Sequence, residues 1–88
     1  PQEYDDSKEI KFKLKIAPEI AYRVYDEFEP GSIEKLPDGY LTATASYVED
    51  EWVYGMILSY GEYAEVLEPE HVRDNIKKRL EKTMKIYK

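Results

Sequence analysis

Lys11, Lys13 and Lys15 stand at every second position of the run EIKFKLKI (9–16), a spacing that places three ammonium groups in a row on one face of an extended strand. Such a row suits an anion or an acidic partner. Glu34 and Glu65, on the segments expected to flank it, are the alternative partners, pairing with the lysines to keep an exposed sheet face soluble. Nothing comparable is present for bond-making chemistry. One histidine, His71, and no cysteine leave no disulfide, thiolate metal site, cysteine nucleophile or histidine metal cluster. Ser7, Ser32, Ser46 and Ser59 have no base nearby in sequence, and no glycine-rich phosphate loop, G-x-S-x-G elbow or H-E-x-x-H motif occurs. Glu49, Asp50 and Glu51 precede an apolar helical run, where carboxylates serve as caps and dipole partners. The expectation is a non-enzyme with no catalytic residue, no metal and no cofactor. The remaining candidates are apolar: Val72, Ile76, Leu80 and Tyr87, with Thr83 or Met84, form one stripe of a C-terminal helix that must be buried somewhere.

These residues depend on elements that the pattern predicts in order. Ile10, Phe12, Leu14 and Ile16 alternate with the lysines and give a half-buried strand. Ala17-Pro18-Glu19 starts a helix over about 18–28, carried by Ile20, Ala21, Val24, Tyr25 and Phe28 and ended by Pro30-Gly31. Strands over 33–36 and 40–48 flank Pro37-Asp38-Gly39, where proline presets φ and glycine supplies the positive φ of a hairpin return. Trp52, Val53, Met56, Ile57 and Tyr60 carry a second helix with Gly61 as its left-handed cap; Gly55 inside it is expected to mark close packing. A short strand over 63–67 follows, and Pro69 opens the third helix.

The order strand, helix, strand, strand, helix, strand, helix predicts an α+β, ferredoxin-like βαββαβ sandwich with antiparallel sheet order 4-1-3-2 and an appended C-terminal helix. Two relatives of that layout fit poorly. The glycine-rich loop and arginine of acylphosphatases have no counterpart between Ile16 and Arg23, and the open-face positions Lys11, Lys13, Lys15, Thr42, Thr44 and Ser46 lack the stacking aromatics of RNA-recognition folds, Tyr40 at the edge being the one candidate.

Charge is segregated. Residues 1–39 hold ten Asp/Glu against six Lys/Arg, residues 40–70 hold seven against none, and residues 71–88 hold two against seven. The formal net charge of −6 disfavours general nucleic-acid binding, and the acidic middle and basic end are expected to satisfy each other within one chain or between chains. Nine tyrosines exceed what so small a core can hold, so Tyr22, Tyr54 and Tyr63 are expected at the surface or in an interface. With no apolar run of membrane-spanning length and no signal-peptide order, the expected setting is the cytoplasm, without a membrane partner.

The run Met56-Ile57-Leu58-Ser59-Tyr60-Gly61-Glu62-Tyr63-Ala64-Glu65-Val66-Leu67-Glu68-Pro69 resembles the C-terminal extension (WCX) domain of bacterial WYL-domain transcriptional regulators. Trp52 before it, the closing helix to Tyr87, the Ala17-Pro18-Glu19 helix start and the Leu-Pro-Asp-Gly turn at 36–39 look like the same family, so the likeness spans about 9–88. Ala17 departs from the serine cap often found there. The resemblance implies a single extension domain over 9–88, with residues 1–8 a linker from upstream domains: a winged helix-turn-helix, through which alone DNA is bound, and an effector-sensing WYL domain. It implies a non-catalytic regulatory and oligomerisation domain that forms a homodimer, through Val72, Ile76, Leu80 and Tyr87 or through contacts of those residues with the other domains. The alternative is a small-molecule or anion-binding ferredoxin-like module using Lys11, Lys13 and Lys15.

Overall fold

The computed structural model describes residues 8–87, so the expected linker over 1–8 lies, apart from Lys8, outside the described residues. The alternation of β1 (Glu9–Ile16) sets the layering: Phe12, Leu14 and Ile16 are fully buried, while Lys11 is exposed and Lys13 and Lys15 are half-buried on the other face. β1 pairs antiparallel with β3 (Leu41–Val48) along its whole length and with β4 (Ala64–Glu68) over Lys13–Ile16; β2 (Ile33–Lys35) pairs with the start of β3. The strand order β2-β3-β1-β4 is the 4-1-3-2 order read from the opposite edge. The protein is an α+β ferredoxin-like sandwich with an added C-terminal helix.

Local chemistry accounts for most element boundaries. Asp50 caps α2 (Glu51–Leu58) by accepting the Val53 N–H at 3.0 Å. The β2–β3 turn closes with Leu36 N–H on the Tyr40 carbonyl at 2.8 Å and Gly39 at φ +91°, and Gly61 takes φ +62° after α2. The first helix is shorter than its periodicity suggests. Ala17 offers no side-chain acceptor, and its N–H donates instead to the Tyr63 carbonyl at 2.8 Å; a 3-10 turn at Pro18–Ile20 then leads into α1 (Ala21–Glu27), and Phe28 is already extended as it turns into the core. α3 (Glu70–Ile86) begins one residue after Pro69.

One cluster of buried side chains joins the layers, drawing Phe12, Leu14 and Ile16 from β1, Val24 from α1, Val53, Tyr54 and Ile57 from α2, Val66 from β4 and Val72 from α3. Two expectations are corrected. Tyr54 is 3% exposed rather than at the surface, because its hydroxyl finds a carboxylate at the core boundary. Gly55 marks no close packing: it is exposed, and a Cβ there would meet nothing within 4 Å.

Candidate interaction surfaces

The open face of the sheet carries the lysine row. Cross-strand register sets Lys11 opposite Ser46, Lys13 opposite Thr44 and Lys15 opposite Thr42, so each ammonium stem lies beside a hydroxyl-bearing residue. At about 3.4 Å per residue the row spans roughly 14 Å. Among the described residues Glu34 and Glu65 do not pair with the row. Glu65 stands opposite Lys15 on β4, but its carboxylate takes Arg73 Nη1 at 2.7 Å, and Glu34 forms no ion pair with any described residue. Lys15 instead places its Nζ 5.0 Å from the Tyr40 ring centroid, a cation–π contact. Beside the row, β2 faces only Leu41–Ala43, and an open groove runs along the rest of β3 to the segment Glu29–Ser32.

The proximal half of α3 is locked to the body. Val72 is fully buried and Ile76 packs on the core, so two of the four predicted interface positions are engaged within the chain itself. Around them the acidic middle and the basic end meet. Arg73 Nη1 donates to the Val66 carbonyl at 2.8 Å, besides pairing with Glu65. His71 Nε2 lies 3.0 Å from Glu49 Oε1, and the Tyr54 hydroxyl donates to the other oxygen of the same carboxylate. Arg79 donates to Glu51 through both terminal nitrogens, at 2.9 Å for Nη1, reaches Asn75 Oδ1 at 2.6 Å and lies 4.6 Å over the Tyr54 ring. The Tyr54 hydroxyl, and after it His71, hold the Glu49 carboxyl below the usual carboxylate range; burial, and after it Glu49, push the Tyr54 hydroxyl up to about 12. The pattern of apolar spacing did not reveal this polar latch. The opposed charges of 40–70 and 71–88 were its one sequence signal.

The distal half of α3 has no such cover. Leu80 is 49% exposed, Met84 73%, Ile86 74% and Tyr87 80%; Leu80 and Met84 follow one another at i, i+4 on one stripe, and Tyr87 stands just past the helix end on extended backbone. Of the predicted interface residues, Leu80 therefore lies on an open helical surface and Tyr87 is exposed just beyond its end. Lys77 flanks it, Lys78, Lys82 and Lys85 occupy another side of the same turns with Glu81 between, and none of the four lysines forms an ion pair among the described residues.

The α1–α2 layer carries the opposite chemistry. Tyr22, Tyr25 and Trp52 are each more than half exposed, the last tilted over Tyr47, which in turn stacks on buried Phe12. Exposed acids accompany them: Glu19, Asp26, Glu29 and Glu62. The arginine of this layer, Arg23, is already engaged by Glu27 and Ser59. Among the described residues no group of three or more His, Cys, Asp or Glu is placed to hold a metal ion, and no helix is long and apolar enough to cross a membrane.

Comparison with known proteins places these surfaces in a family context. The family model of the WCX domain matches residues 8–84. The chain is also similar to the HTH-type transcriptional regulator YobV of Bacillus subtilis (strain 168), 42% identical over 45 residues. That match takes in 51% of the chain and only 14% of YobV, so the chain corresponds to a small part of that relative.

Proposed function

This chain belongs to the WCX domain family, and from that membership we propose that it serves a WYL-type transcriptional regulator as a non-catalytic regulatory and oligomerisation domain, coupling effector sensing to DNA binding. The observation that carries the proposal is the division of α3. Its proximal half is fixed by Val72, Ile76 and the Arg79–Glu51 latch, while its distal half holds an apolar stripe away from the chain's own core. A rigidly anchored but uncovered stripe is suited to a second copy, because little conformational entropy is left to lose on docking. In the parent regulator a two-fold pair of such domains sets the separation of two DNA-binding ends and matches a two-fold operator. The same surface also suits contact with the WYL or winged-helix domain of the parent.

Light scattering over a hundredfold range of concentration tests this directly. The chain is expected to dimerise, and Leu80→Glu with Met84→Glu to weaken the dimer by about 100-fold or more, since each apolar group is worth roughly 1.5 to 3 kcal/mol when buried. The melting temperature of the monomer should hardly move, because both residues are exposed. A wild-type chain that stays monomeric throughout overturns the oligomerisation reading.

A second reading, an anion-binding module, is favoured by one observation: among the described residues Lys11, Lys13 and Lys15 all lack an ion pair. On this reading inorganic phosphate raises the melting temperature of the wild type by a few degrees, and replacement of the three lysines by Gln removes the rise. An equal rise in both proteins, or none in either, overturns it.

A further inference from the structure

The described residues contain two exposed surfaces of opposite character that no ion pair or hydrogen bond joins. On distal α3, Leu80 and Met84 form an apolar stripe followed by exposed Tyr87, and the same turns carry Lys77, Lys78, Lys82 and Lys85 against a single acid, Glu81. On α1, Tyr22, Tyr25 and Asp26 stand at i, i+3, i+4, with Glu19 in the turn before the helix and Glu29 in the extended segment after it. Among the described residues none of these lysines or acids has an ion-pair partner. We propose that the acceptor for the distal half of α3 is the acidic, aromatic face of α1 in a second copy, and that two chains exchange these helical arms about a two-fold axis. The inference rests on the reading of α3 as the dimer element and adds what that element docks on.

Three features support the match. The lengths agree: α1 has seven residues and the exposed segment Leu80–Ile86 also has seven, each about 10 Å long at 1.5 Å per residue. The side chains are complementary, because tyrosine faces accept both the thioether of a methionine and the ammonium of a lysine. The charges are opposite, and each set is otherwise exposed to solvent. Arm exchange also satisfies closure, since each copy gives one arm and receives one and no surface is left to propagate a chain of copies. An arm-to-arm pairing would instead bring together two net-positive arms, each with four lysines against Glu81, which is unfavourable.

Charge reversal separates the possibilities. One variant carries Lys77→Glu and Lys85→Glu; the other carries Asp26→Lys and Glu29→Lys. Each alone is expected to weaken self-association at least tenfold at low salt. Mixed in equal amounts they should form a heterodimer close to wild-type affinity, because every arm then meets an acceptor of opposite sign. If Asp26→Lys with Glu29→Lys dimerises as the wild type does while Leu80→Glu with Met84→Glu does not dimerise, the acceptor assignment is overturned and the dimer reading stands. If neither charge variant nor the Leu80/Met84 variant alters self-association, both are overturned. Two charge variants that weaken separately but fail to rescue each other also overturn arm exchange.

Discussion

Val72→Asp is expected to release α3 from the fold and to cost about 4 kcal/mol or more, a large share of the stability of an 88-residue domain. Val72 is fully buried in the first turn of α3, within the same cluster as Val66, Tyr54 and Phe12. A carboxylate there has no partner: the basic groups nearby in sequence, His71 and Arg73, are already directed to Glu49 and Glu65. The polar latch cannot compensate. Its ion pairs are largely solvent-exposed, with Glu51 at 82%, and solvent screens pairs of that kind strongly. Arg79→Ala is therefore the informative comparison, expected to shift the melting temperature much less than Val72→Asp and to leave α3 docked. Hydrogen exchange on the α3 amides together with thermal melts decides the matter. Loss of protection along the whole helix in Val72→Asp, but not in Arg79→Ala, is the expected outcome; undiminished protection in Val72→Asp means that the latch, not the valine, holds the helix. Function follows the same logic, since an undocked α3 no longer presents Leu80 and Met84 from a fixed base.

How far the molecule is legible in its sequence depends on the range of the interaction. β1 was legible because its period of two acts within eight residues, and the Leu36–Tyr40 turn because Asp38 and Gly39 act within four. The helical stripe of α3 was equally plain, but not its division. Val72 and Ile76 look like Leu80 and Met84 in the pattern, and only the distance along the helix from the body separates buried from exposed. The contacts that sequence reasoning missed span long separations: Arg79 meets Glu51 across 28 positions, and Tyr60 meets Glu27 across 33. Tyr54 was misplaced for a related reason. A phenol looks like a surface residue until a particular carboxylate, here Glu49, is brought to its hydroxyl by the packing of the α2 start. The pairing expected for the lysine row failed likewise, because the choice of Glu65 between Lys15 and Arg73 is made by where α3 lies. Charge segregation gave the sum of these contacts without their identities.

Removing the Glu27 carboxylate should cost about 2 kcal/mol, because it leaves a buried hydroxyl without its acceptor. Tyr60 is 2% exposed, and its hydroxyl donates to Glu27 Oε1 at 2.6 Å across the two helix ends. Arg23 completes the knot, with Nε 3.1 Å from the other Glu27 oxygen, Nη1 and Nη2 on the Ser59 carbonyl and hydroxyl, and the guanidinium 4.3 Å from the Tyr60 ring centroid. Glu27→Ala leaves the Tyr60 hydroxyl without its acceptor and Arg23 with Ser59 alone as hydrogen-bond partner among the described residues, whereas Glu27→Gln keeps an acceptor oxygen and loses only the charge, so the glutamine variant should recover part of the loss. The pH dependence follows from the same contacts. The Tyr60 hydroxyl, and after it Arg23, hold the Glu27 carboxyl below its ordinary value of 4.5, and Glu49 and Glu51 are lowered in the same sense by Tyr54 and Arg79. A carboxyl depressed in the folded state stabilises the fold above its unfolded pKa, and that contribution is lost as pH falls through the folded value. Stability is therefore expected to decline from about pH 4.5 downward, less steeply in Glu27→Gln. The alkaline side mirrors it: burial, and then Glu27, raise the Tyr60 hydroxyl above 10, so its contribution is present below pH 10 and lost as pH rises through the raised value. Urea midpoints between pH 3 and 7 provide the check, and an acid slope in Glu27→Gln as steep as in the wild type would mean that the α1–α2 knot does not depend on the Glu27 charge.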